Sequence, residues 1–196
     1  MNRITKLKIL YLGLVILGLL VFLGLKLALD LNTNSLVVVV LLFLVPGRLT
    51  GFYWREMLAG RRMMAVQQYS EAVSEFSTFL EKLKQKPWIA RLIWLSPGFY
   101  TTSAKAMALN NIGACDLESG SLDSACEYLE SAVLEDDLYP LPHYNLAMVY
   151  SILEEPDRVS YHLLTSRKLG FKDDAFDRSV DRIKLAYAKY EPAGRI

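Results

Sequence analysis

The sequence predicts an all-α protein: an N-terminal transmembrane helical hairpin, then short helix–turn–helix units, then an amphipathic C-terminal helix. Three observations carry this prediction. From Trp54 onward apolar residues recur at helical spacing, and no stretch alternates with the period of two that a half-buried strand requires. Small and large apolar residues also return at fixed offsets along the rest of the chain. Finally, the excess behind a mean hydropathy of +0.22 is concentrated between Ile9 and Val45.

The first element rests on Ile9 to Leu25, seventeen residues without a charge, extended to Leu29 if Lys26 snorkels to the interface. About 20 helical residues cross a hydrocarbon core, so 9–29 is expected to span. A cleaved signal peptide would carry a shorter apolar region and a small-residue cleavage site, which Leu27-Ala28-Leu29-Asp30-Leu31 does not offer. The second run, Leu36 to Val45, is only ten residues. It spans if it continues through Pro46 and Gly47 to Trp54, giving 36–54; a re-entrant segment is the competing reading. In the spanning reading Phe52-Tyr53-Trp54 sits at headgroup level as an aromatic belt.

Orientation follows from the cations. Arg3, Lys6 and Lys8 precede the first span, Arg48, Arg55, Arg61 and Arg62 follow the second, and the loop 30–35 has none. The positive-inside rule then puts both termini in the cytoplasm, as in a bacterial-type inner-membrane protein with residues 1–55 as anchor. Through Arg62 the net charge is +6, and beyond it −5. A nucleic-acid ligand would need its basic stripe on the folded domain, so this split argues against one. Cys115 and Cys126 are too few for a secreted disulfide framework and fit a reducing compartment.

The helix pairs are read from offsets. Gly60, Gly113 and Ala147 each stand twelve residues before Ala72, Ala125 and Val159, and each of those stands four before Phe76, Leu129 and Leu163. Gly113 and Ala125 lack bulk, so two helices can approach closely around them. Leu129 and Ala132 are expected to face the next unit. A lone helix pair cannot bury its apolar face, whereas about three stacked units can.

This pattern resembles the tetratricopeptide repeat, a 34-residue helix–turn–helix unit. The best copy is 106–139, with Leu109, Ile112, Gly113, Gly120, Ala125, Leu129 and Ala132 at matching positions. The copy 140–173 matches at Leu146, Ala147, Tyr150 and Leu163 but has Val159 and Ser166 where alanine is usual. The copy 53–86 matches at Gly60, Tyr69, Ala72 and Phe76 and departs at Arg61, Arg62, Met63 and Met64. Repeats thus occupy 56–173, interrupted by an aromatic insert at 87–105. Trp88 and Trp94 of that insert are flanked by Lys82, Lys84, Lys86 and Arg91. It is read either as a loop packed on the first repeat or as an interfacial helix resting on the bilayer. Residues 174–196 form the cap and tail, with Phe176, Val180, Ile183 and Tyr187 along one helical face.

No catalytic constellation is visible, and no metal site or cofactor is expected. His143 and His162 lack zinc-ligand spacing, and no phosphate loop or nucleophile elbow occurs. The resemblance implies a concave groove lined by the first helix of each unit. By position that surface includes Met107, Asn110, Asn111, Ala114 and Leu117, then Leu141, Tyr144, Asn145 and Met148. It lacks the cations of the family's carboxylate-clamping grooves. The expectation is a membrane-anchored scaffold, not an enzyme, that binds a protein or peptide partner in the groove. Membrane lipid meets Trp54, Trp88 and Trp94, and self-association is left open. The alternative is a structural subunit or assembly factor acting through its transmembrane helices, where Gly13, Gly18 and Gly24 permit close packing.

Overall fold

The computed structural model describes residues 3–28, 47–95, 100–171 and 176–190. Every regular element among them is helical: α1 (Arg3–Ala28), α2 (Arg55–Ala65), α3 (Tyr69–Gln85), a 3-10 helix η1 (Pro87–Leu95), α4 (Ala104–Ser119), α5 (Leu122–Glu135), α6 (Pro140–Ile152), α7 (Pro156–Lys168) and α8 (Phe176–Tyr190). The all-α expectation holds. Of the expected second span, residues 36–46 lie outside the described residues, as do the loop 30–35, residues 96–99 of the insert and the tail from 191. Residues 47–53 are helical and lead into α2, because the Trp54 N–H bonds the Thr50 carbonyl and the Leu58 N–H bonds that of Trp54.

α1 is an unbroken helix of 26 residues whose sequence is uncharged from Ile9 to Leu25. At 1.5 Å per residue it is about 39 Å long. Among the described residues, no helix is long and apolar enough to cross a membrane.

The remaining helices pack as consecutive pairs, α2 on α3, α4 on α5 and α6 on α7, with α3 on α4, α5 on α6 and α4 on α6 joining the pairs. Each pair turns in the same way. Gln67, Gly120 and Glu154 are left-handed, at φ of 63°, 97° and 59°. The residue after each donates its N–H to a carbonyl five positions back: Gln68 to Met63, Ser121 to Asp116 and Glu155 to Tyr150, at 2.9, 2.9 and 3.0 Å. This is the Schellman closure, which satisfies carbonyls that a helix end would otherwise leave unpaired. The three turn residues stand at the same offsets as Gly60, Gly113 and Ala147. Pro140 and Pro156 begin α6 and α7, where a missing N–H costs nothing.

Close approach within pairs follows the glycines. A Cβ on Gly60 would lie 2.6 Å from the Phe76 ring, and one on Gly113 would lie 2.6 Å from Leu129 Cγ and 3.1 Å from the Ala125 carbonyl. Leu129 therefore packs over its own pair, besides joining the core shared with α6. Two clusters make up that core. One gathers Trp54, Met57, Phe76, Phe79, Ile89 and Ile112, and the other Leu117, Leu129, Leu146, Tyr150, Val180 and Ile183.

Candidate functional site

The residues expected to line a groove are brought together on α4 and α6, but little of that surface is open. Asn110 and Asn145 are buried and bond each other, Asn145 Nδ2 donating to Asn110 Oδ1 at 3.0 Å. Buried amides need such partners, so this pair ties α4 to α6 and does not face a ligand, a correction to the expected role. Asn111 is half-buried and points its Nδ2 at Met57 Sδ, 3.5 Å away. Ala114 and Leu141 are half-buried, and Met107 and Leu117 are buried.

Tyr144 and Met148 are buried as well, under α8. Phe176, Val180 and Ile183 enter the same cluster, and the Tyr144 ring meets those of Phe171 and Phe176 edge-on at 4.8 and 5.6 Å. Arg182 then reaches across to α4, its Nη1 and Nη2 donating to the two Glu118 oxygens at 2.5 Å each. Such bidentate pairs fix orientation as well as charge. The helix expected as an end cap thus packs chiefly on α6 and is tied to α4 through Arg182. Amphipathicity marks a face that needs cover, without saying which surface covers it.

The aromatic residues assigned to a membrane interface divide. Trp54 is fully buried, its Nε1 donating to the Ile89 carbonyl at 3.1 Å and its ring edge-on to Phe79 at 5.4 Å. It is a core residue, which corrects the expected headgroup role; the carbonyl of η1 supplies the polar partner that a buried indole needs. Trp88 and Trp94 are 46% and 56% exposed. Nearby, Glu56 is buried between Arg55 and Lys82, with an oxygen 2.7 Å from each. Burial pushes its carboxyl upward, but the Lys82 and Arg55 hydrogen bonds win and hold it below the ordinary value.

Sequence reasoning did not anticipate a cluster between α5, α6 and α7. His143 and His162 meet Nδ1 to Nδ1 at 3.0 Å, one ring donating to the other. Tyr150 stacks on His162 at 5.4 Å, and its hydroxyl donates to Glu130 at 3.0 Å and lies 3.3 Å from Cys126 Sγ. The Arg158 guanidinium covers the outer face of Tyr150 at 4.7 Å. Burial lowers both histidines, and the neighbouring His143 helps bring His162 to about 4. The nineteen-residue spacing was the available signal, since it places two residues opposite each other across a pair. The cluster connects α5, α6 and α7 through these contacts. Burial raises Cys126 and pushes Cys115 up to about 12, so neither thiol is poised as a nucleophile. Among the described residues no three His, Cys, Asp or Glu side chains converge as a metal site would require.

A concavity lies among α3, η1, α4 and α5. It is a cleft of about 1070 Å³ edged by Ser77, Thr78 and Lys84 of α3, Pro87 and Ala90 of η1, and Tyr128 of α5. No protein-family model and no curated protein matches this chain.

Proposed function

We propose that the chain is a membrane-anchored, tetratricopeptide-like scaffold that binds a protein or peptide partner on the inner surface formed by α4 and α6. It would do so at the cytoplasmic face of a bacterial-type inner membrane, as a binding protein and not an enzyme. The observation that carries the proposal is that this surface already takes an amphipathic helix, α8, through three apolar side chains and one arginine. A partner with the same chemistry would fit: an aromatic and two branched residues at i, i+4 and i+7, with a basic residue for Glu118. Such a partner must displace α8.

Two further observations support the reading. The shared left-handed turn at residues 67, 120 and 154 favours true repeats over three unrelated helix pairs. In α1, Leu12, Leu17, Leu20 and Leu23 are each 50% or more exposed, and the helix has no polar face. A helix apolar all round needs an apolar surrounding, which a bilayer provides.

The test is photo-crosslinking from Tyr144 and from Met148 in the full chain within its native membrane. Support would be crosslinks to one identified protein that compete with crosslinks to 176–190 and increase in Arg182→Glu. Crosslinks confined to the chain's own C-terminal helix, in the variant as in the parent, would refute the groove as a binding site.

A further inference from the structure

The insert was expected either as a loop on the first pair or as an interfacial helix, and its backbone geometry bears on both. A 3-10 helix has 3.0 residues per turn, so residues three apart eclipse one another. In η1 this stacks Trp88, Arg91 and Trp94 in one row, and all three are exposed. An α-helix would turn Trp94 about 120° away from Trp88. Ile89 and Ile93 are buried in the first core cluster at 0% and 4% exposure, so the row is held outward by a fixed anchor. At its Trp88 end the row continues into the chain: the Tyr53 ring meets Trp88 edge-on at 4.7 Å, and Phe52, 66% exposed, meets Tyr53 at 5.0 Å. Tyr53 is eight residues past Val45, where the second apolar run ends. Arg48, Arg55 and Lys86, close in sequence to these aromatic residues, are exposed.

We infer that the row Trp88-Arg91-Trp94, continued by Tyr53 and Phe52, is a docking surface for a bilayer containing anionic lipid. Three features select that occupant. Indoles partition to the headgroup boundary, where an apolar ring and a polar N–H are both accommodated. A guanidinium between two indoles matches a lipid phosphate in bidentate geometry. The row also meets the segment that follows the apolar run directly, so chain length holds it near any membrane that run enters. Docking here would fix the tilt of the helix pairs against the bilayer. The inference rests on the proposed anchor, so its test must separate the two.

The full chain is reconstituted in vesicles of phosphatidylcholine, with or without phosphatidylglycerol, carrying lipid brominated at a shallow acyl position. Trp88 and Trp94 are two of the three tryptophans. On the order of half to two-thirds of the emission should therefore be quenched in anionic vesicles. W88F/W94F, which retains only buried Trp54, should lose little. Arg91→Glu should weaken quenching in anionic vesicles and leave it unchanged in phosphatidylcholine. Emission that ignores brominated lipid but yields to aqueous acrylamide, in a chain that still floats with vesicles, overturns the docking surface while the anchor stands. A chain that does not float refutes the anchor. If that chain also shows no quenching when mixed with anionic vesicles, the docking surface falls with it.

Discussion

Gly113→Ala sets helix propensity against packing with opposite signs. Alanine in a helix interior is favoured over glycine by about 1 kcal/mol. The added methyl, however, would stand 2.6 Å from Leu129 Cγ, 2.9 Å from its Cδ2 and 3.1 Å from the Ala125 carbonyl. Cγ is a branch point and not the free end of a chain, and the carbonyl is backbone, so relief requires α4 and α5 to separate. Overpacking of this kind costs about 1–3 kcal/mol. With the propensity gain set against it, the net loss should be about 0–2 kcal/mol, a fall in Tm of up to roughly 8 °C for a chain of this length. Gly60→Ala should destabilise in the same way, because its methyl would stand 2.6–2.9 Å from three atoms of the buried Phe76 ring. Leu129→Ala at a fully buried site should cost about 2–5 kcal/mol. In the double variant the new methyl enters the space that Leu129 vacated. Urea unfolding followed by circular dichroism should then give a total below the sum of the singles by at least about 1 kcal/mol. Additivity within about 0.5 kcal/mol, or a Gly113→Ala more stable than the parent, would refute the close-crossing argument.

The histidine pair should make stability depend on pH. In the unfolded chain each ring takes up a proton near 6.5, whereas in the fold burial and His143 hold His162 down to about 4. The contribution of the neutral pair is complete above pH 6.5 and is lost as pH falls from there toward about 4. His162→Phe should flatten that slope in thermal melts, and an unchanged slope would exclude the pair as its source. At the turns, Gln67 and Glu154 hold φ of 63° and 59° without being glycine. The left-handed conformation costs a side chain about 1–2 kcal/mol, so Glu154→Gly and Gln67→Gly should each raise stability by about 0.5–1 kcal/mol. Gly120→Ala should lower it, and equal effects at all three positions would show the turns to be inequivalent in strain. Cys115 is fully buried and its thiol is pushed up to about 12. Mass spectrometry after iodoacetamide at neutral pH should find it unmodified until urea is added; rapid native labelling would disprove its inertness.

The parts of the fold legible in the sequence were those fixed by local sterics. Gly60 and Gly113 mark the close crossings because only a missing side chain permits them, and the structure gives each its large partner, Phe76 and Leu129. The turns were partly legible. Gly120 carries the left-handed residue openly, whereas Gln67 and Glu154 adopt the same conformation through closure of the motif, without a residue type to announce it. What escaped was partner choice. Trp54 follows an apolar run and carries an indole N–H, which suits a headgroup interface as well as a core with a carbonyl in reach. The deciding acceptor, Ile89, lies 35 residues away. Asn110 and Asn145 were misread for the same reason, since an amide suited to a peptide ligand is equally suited to another amide. The Trp88-Arg91-Trp94 row depends on the 3.0-residue period of a 3-10 helix, which no residue of the insert announces.

The covered groove bears on how a partner could act at all. On the proposed function α8 is an internal competitor, joined to α7 by only seven residues between Lys168 and Phe176. A short tether sets an effective concentration on the order of millimolar. A partner present near micromolar concentration must then bind the bare surface about a thousandfold more tightly than α8 does, an advantage of about 4 kcal/mol. The Arg182–Glu118 pair joins a largely exposed guanidinium to a mostly shielded carboxylate, with side chains 57% and 19% accessible. Exposed pairs contribute only about 0–1 kcal/mol, so most of α8's hold comes from Phe176, Val180 and Ile183. A competing helix gains little by matching the arginine alone; it has to supply the three apolar contacts. The specificity of the surface would then lie in their spacing.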